Sequence, residues 1–186
     1  METIDLPPLS RKRLIELSRQ ALENFVLKQK KPAPSMDDPH LLASQYGAFV
    51  SLHRGDELRG CIGTCVPTDP LYRTVTEMTE AAASRDNRVQ PIRASELAEI
   101  LIEISVLSPL QPVAEPLALE VGKHGLHVEQ GRKRGVLLPQ VATEYGWDME
   151  TFLGAACAKA GLPKDAWKSP ETKIASFTAL IIEEER

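Results

Sequence analysis

Cysteine, aromatic residues and surplus positive charge are all scarce in this chain of 186 residues, and each scarcity closes off a class of function. Cys61, Cys65 and Cys157 are an odd set that forms no disulfide framework, so a reducing, cytoplasmic location is expected. Lys and Arg number 22 against 26 Asp and Glu, a net charge of −4. Neutralising phosphates takes a basic face, so no nucleic-acid partner is expected. With aromatics at only 5%, stacking platforms for single strands are also few. No apolar run approaches the roughly 20 residues that cross a bilayer. The opening METIDLPPLSRKRL has no apolar segment of signal-peptide length, so neither membrane insertion nor export by that route is expected. Neither a phosphate-binding loop nor a dinucleotide fingerprint occurs, and no cofactor is expected.

What remains is a soluble globular composition, 42% apolar and 26% charged. A chain of this length buries about 70% of its unfolded surface, enough for a core without staples. Ser10 is placed to cap a helix running to about Lys30, with Leu14, Leu17, Ala21, Leu22, Phe25 and Val26 as its buried stripe. Lys28, Lys30 and Lys31 suit its C-terminal dipole, and Pro32 with Pro34 ends it. After the loop KPAPSMDDPH the period changes to two. Ala48, Val50 and Leu52 alternate with Phe49, Ser51 and His53 in a strand, and Glu57 to Ile62 returns across Arg54-Gly55-Asp56. A three-residue turn pairs Leu52 with Leu58 and Ala48 with Ile62, leaving Ser51, Arg59 and Cys61 on the opposite face.

Pro70 opens a helix with Leu71, Val75, Met78 and Ala82 inward. A polar loop, Ser84 to Arg88, and a short helix around Glu96 lead to a strand over Ile100–Leu107. Pro109, Pro112 and Pro116 mark a connection. A second hairpin joins Gly125–Glu129 to Arg134–Leu138. Asp148 caps the last long helix, Gly161 closes it, and Thr172–Ile182 reads as one terminal strand. Gly55…Arg59-Gly60 and Gly131…Arg134-Gly135 differ by one residue in spacing, which is too little for a repeat. Hairpins interleaved with helices predict an α+β fold with antiparallel sheets.

Chemistry concentrates in Leu58-Arg59-Gly60-Cys61-Ile62-Gly63. On a strand, Arg59 and Cys61 share a face about 7 Å apart, and a guanidinium that close favours the thiolate. Gly60 and Gly63 admit a ligand or another backbone. The plain alternative is a small buried cysteine beside a bulge. Arg85 and Asp86 read either as an ion pair orienting Arg59 or a ligand carboxylate, or as a surface salt bridge. His124 reads as a general acid or base if it folds toward Cys61, or else as a solvated turn residue. His53, Cys61, Cys65 and His124 lack the paired spacing of a zinc site, and no metal is expected.

The hexapeptide L-R-G-C-I-G (58–63) resembles the signature of the AMMECR-type domain. So do A-A-A-S-R-D-N-R (81–88), E-I-S-V-L-S-P (103–109), K-H-G-L (123–126), R-G-V-L-L-P-Q-V-A-T-E-Y-G-W-D-M-E-T-F-L (134–153) and K-A-G-L-P-K-D-A-W (159–167). Asn87 and Val89 stand where proline and phenylalanine are common after R-D, and I-A-S-F lacks the usual tyrosine. The resemblance implies one AMMECR-type domain over 1–186, with a larger lobe from both chain ends and a smaller middle lobe. Each lobe is expected to hold an antiparallel sheet packed by helices. It also implies protein A of the AmmeMemoRadiSam system, with Memo-type and radical-SAM proteins as partners. The hexapeptide is then the functional centre, with no reaction attached.

Two functions follow as expectations. In one, Cys61 is nucleophile or covalent carrier, Arg59 stabilises the thiolate or an anionic substrate, and His124 or Asp86 manages protons, with Ser51, Gly60, Gly63 and Arg85 in the binding site. In the other, the inter-lobe cleft binds an unidentified small molecule or a partner protein without turnover.

Overall fold

The computed structural model describes residues 3–30 and 35–185. Lys31, Pro32 and Pro34, expected to finish the first helix, lie outside the described residues. That helix, α1, spans Pro8–Val26. Proline at its first position needs no N–H partner there, so the helix begins before Ser10, which is buried within it. It also ends earlier than Lys30. Lys28 adopts a left-handed φ of 54°, and Gln29 N–H reaches back to the Asn24 carbonyl, closing the last turn. Leu14, Leu17 and Leu22 are buried as their spacing predicts, while Phe25 is exposed.

A single turn, α2 (Pro39–Leu42), precedes β1 (Gly47–Arg54) and β2 (Glu57–Thr64). Gly55-Asp56 makes a two-residue turn rather than a three-residue one, with Gly55 at φ 59° in its first central position. The pairing then slips between Leu52 and His53. Leu52 faces Gly60 and His53 faces Leu58, so Arg59 is the extra residue of a β-bulge. Strict alternation therefore breaks at Arg59, and Leu58 does not join the core as the simple register predicts.

The helix α3 (Leu71–Ser84) packs its Leu71, Val75 and Ala82 on this hairpin, and a 3-10 turn at Ala94–Glu96 follows. Next comes β3 (Ile100–Leu107), antiparallel to β1. Ile102, Ile104 and Val106 face the helices with Ala48, Val50 and Leu52, forming one core. The Ser18 and Thr79 hydroxyls bond at 2.7 Å inside it, between α1 and α3.

The second core belongs to a separate sheet. The short β4 (Gln111–Pro112) falls within the predicted connection, followed by β5 (Gly125–Gln130) and β6 (Lys133–Leu137). A one-and-a-half-turn helix, α4 (Pro139–Glu144), has too few residues to show a period and was not legible. In α5 (Met149–Lys159), the Asp148 carboxylate caps the Thr151 N–H at 2.8 Å, and Phe152, Leu153, Ala156 and Cys157 are fully buried. The predicted terminal strand is two strands, β7 (Lys173–Phe177) and β8 (Ala179–Glu183), in different sheets. Thr178 makes the break: its N–H donates to Ser108 Oγ, and its carbonyl accepts the Ser108 N–H. The apolar residues run on through Phe177, Ala179 and Leu180 with only Thr178 between them, so the pattern alone does not show where one sheet hands over to the next.

The fold is α+β, with sheets in the orders β2-β1-β3-β8 and β4-β7-β5-β6. By contacts the chain forms two compact units, one running to Leu107 and resuming at Leu180, the other Ser108–Ala179. Among the described residues no helix is long and apolar enough to cross a membrane.

Candidate functional site

The helices cover one face of the β2-β1-β3 sheet, and the polar residues of the hexapeptide hairpin lie on the other. Ser51 is the Cα partner of both Cys61 and Glu103, so Cys61, Ser51 and Glu103 form one row across three strands. All three are half-buried. The Ser51 hydroxyl donates to Cys61 Sγ at 3.1 Å.

β2 is an edge strand, and its outward polar groups at Cys61 are met by side chains of the loop after α3. Asp86 Oδ2 accepts the Cys61 N–H at 2.9 Å, and Arg88 Nη2 donates to the Cys61 carbonyl at 3.1 Å. The two side chains are themselves paired, Arg88 Nε to Asp86 Oδ1 at 2.9 Å and Nη2 to Oδ2 at 2.7 Å. The Asp86 side chain thus turns inward, 4% exposed, while that of Arg88 is 63% exposed. The Arg88 bonds hold the Asp86 carboxyl far below the usual carboxylate range against the opposing cost of burial, and the Cys61 N–H adds to them. Arg88 is held more basic than usual by Asp86 first, with a smaller contribution from the Cys61 side chain.

Asp86 therefore pairs with Arg88, not with its neighbour Arg85, which is exposed. Arg88 is the residue that the hexapeptide analysis missed; only its place two residues after Asp86, in the spacing of an Asx turn, pointed to it. Glu103 was also missed. Its signal was a carboxylate in the middle of a β-branched run, on the face opposite Ile102 and Ile104.

Arg59 does not direct its guanidinium to the thiol. Released by the bulge, it is 7% exposed and bonds Glu96 Oε1 through Nε at 3.0 Å and Nη2 at 2.9 Å. Arg54 shares that oxygen at 3.2 Å, and the Arg93 N–H takes Oε2 at 3.0 Å. Glu96 is held below its ordinary pKa, by the Arg93 N–H first and by the two arginines after it.

The two glycines are enclosed by the protein itself. A Cβ at Gly60 would lie 2.0 Å from the Ala82 carbonyl oxygen of α3, and one at Gly63 would lie 2.2 Å from the Phe49 ring. Gly60 thus admits another backbone, and Gly63 a ring. His124 belongs to the second unit, at the entry to β5. It is 5% exposed, and its Nδ1 accepts the Glu120 N–H at 2.9 Å. Nε2 therefore carries the proton of the neutral ring and meets no partner among the described residues. Burial, and then Lys123, pushes the ring's pKa down. Among the described residues no group of three or more His, Cys, Asp and Glu side chains is placed to hold a metal.

An α+β chain with a half-buried cysteine clamped at a sheet edge defines the class structurally. The sequence profile of the AMMECR1 family matches residues 15–182, and the chain belongs to that family. A protein of Thermococcus gammatolerans is 43% identical over 182 residues, covering 92% of this chain and 89% of its own length. One from Methanothermobacter thermautotrophicus is 41% identical over 187 residues, covering 96% and 97%. The crystal structure of an uncharacterised Pyrococcus horikoshii protein superimposes with a TM-score of 0.89 at 38% identity, covering 97% of this chain and 94% of that one.

Proposed function

We propose that the protein is a thiol-dependent enzyme, or an accessory that carries a group covalently on Cys61. One observation carries this reading: a half-exposed thiol accepts a hydroxyl hydrogen bond while its backbone N–H and carbonyl are held by the Asp86–Arg88 ion pair, whose carboxylate is buried. Fixing the nucleophile before its substrate arrives removes orientational freedom from the reacting step. In that step Cys61 Sγ forms a bond to an electrophilic carbon. The leaving group departs with its electron pair, and the thiol proton passes to water. Arg88 stabilises negative charge on sulfur or substrate, Ser51 orients the sulfur, Asp86 holds Arg88, and Arg59 positions the strand from behind. Gly60 and Gly63 let the motif pack, Arg85 adds a cation at the loop, and His124 holds a proton in its own unit.

None of the three cysteines is in a disulfide, which fits a cytoplasmic location. The family resemblance supports Memo-type and radical-SAM proteins as partners, tested by co-purification with tagged versions of each. The thiol reading is tested by iodoacetamide labelling of the native chain with mass-spectrometric site mapping. Cys61 is expected to label at least about ten-fold faster than Cys65 and Cys157, which are buried. Burial also pushes the Cys157 thiol pKa up. A Cys61 as protected as the other two, labelling only after denaturation, overturns the reading and leaves a non-catalytic binding module.

A further inference from the structure

Arg88 has more donors than its internal partners use. Nε and Nη2 are taken up by Asp86 and the Cys61 carbonyl, and none of these bonds uses Nη1. The guanidinium is held in a fixed plane by these bonds, yet 63% of the side chain is exposed. Its counter-charge does not compete for an incoming anion. Asp86 is 4% exposed, and both its oxygens already accept N–H groups, from Arg88 and from Cys61. The loop contributes a second cation, the exposed Arg85. The Glu103 carboxylate on the thiol's row lies on β3 beyond Ser51, away from the β2 edge where Arg88 sits. Charge along the row therefore favours an anion at the Arg88 end.

We propose that the site takes a substrate bearing an oxyanion, a carboxylate or a phosphate, which docks on the Nη1 edge of the exposed Arg88 and sets its electrophilic carbon at Cys61 Sγ. This rests on the thiol reading above and deepens it by naming the substrate class. A planar guanidinium held by three bonds presents its remaining N–H pair at little entropic cost, and oxyanions are the ligands that match it.

Iodoacetate and iodoacetamide give a direct test, because they are one electrophile with and without the negative charge. With either, Cys61 Sγ bonds the methylene carbon, iodide leaves with the electron pair of the C–I bond, and the thiol proton goes to solvent. The quantity read is the iodoacetate-to-iodoacetamide rate ratio at Cys61, divided by the same ratio for the urea-unfolded chain. That quotient is expected to reach about five or more. Inorganic phosphate should lower the iodoacetate rate selectively, and Arg88→Ala should return the quotient to about one. Arg88→Lys should retain part of it, which controls for loss of the loop. A wild-type quotient at or below one, with Cys61 labelled readily by iodoacetamide, overturns the oxyanion proposal and leaves the thiol reading intact. A quotient that survives in Arg88→Ala overturns the assignment to Arg88. Failure of both reagents to label native Cys61 overturns the thiol reading, and this proposal with it.

Discussion

Asp86 and His124 are both buried titratable groups, and each ties stability to a different pH window. Asp86 ionises more easily in the fold than in the unfolded chain because Arg88 and the Cys61 N–H bond its carboxylate. Its contribution is complete above the ordinary Asp value of about 4 and is lost as pH falls below it. His124 is held neutral by burial, so between the unfolded value of about 6.5 and its lower folded value only the unfolded chain takes up the proton. Stability is therefore expected to fall as pH drops from 7 toward 5, and again below about 4. Thermal melts across pH check this. His124→Gln should shrink the upper step, which His127 shares because burial lowers its pKa too, and Asp86→Asn should shrink the lower step, which Glu96 shares. An upper step of undiminished size in His124→Gln would place its origin elsewhere. Arg59 belongs to neither window. It pairs with the buried Glu96, and removing it would leave that carboxylate only the half-exposed Arg54 and the Arg93 N–H, at a cost of about 3 kcal/mol.

Both hairpins meet a helix in the same way. Each turns on a glycine in the first position of a two-residue turn, Gly55 and Gly131, and each returns past a glycine that touches helix backbone. A Cβ on Gly60 would strike the Ala82 carbonyl at 2.0 Å, and one on Gly135 the Ala156 carbonyl at 2.6 Å. The one-residue difference in their spacing is the Arg59 bulge, present only in the first hairpin. Two substitutions separate the roles. Gly60→Ala is expected to cost about 3 kcal/mol, since backbone must move to admit the methyl group. Gly55→Ala, with open space around it but a left-handed φ, should cost about 1 kcal/mol. Urea denaturation of both variants measures the difference, and equal costs would contradict the close helix approach. At this scale the sequence was largely readable. The β3 boundaries, the α5 cap at Asp148 and the alternation of Ala48, Val50 and Leu52 all follow from period and capping chemistry. The bulge did not, because it depends on what α3 presents to Gly60, a contact between residues 22 positions apart.

For the molecule as a whole, the α+β class and the hexapeptide's position on a hairpin strand were legible, but its place at a sheet edge and the partner of the thiol were not. Period two placed Arg59 beside Cys61, and a single extra residue turned it to Glu96 instead. Arg88 took its place from a loop beyond a 14-residue helix, and no local pattern reports that approach. Arg88, not Arg59, is thus the arginine that borders Cys61. The measurement that tests it most directly is the neutral-pH iodoacetamide rate at Cys61 in wild type, Arg88→Ala and Arg59→Ala. Each rate is taken well below that variant's own melting temperature. Arg88→Ala should slow labelling several-fold; Arg59→Ala should melt earlier yet label at the wild-type rate. A rate that falls in Arg59→Ala and stays unchanged in Arg88→Ala would contradict the assignment of Arg88 to the thiol.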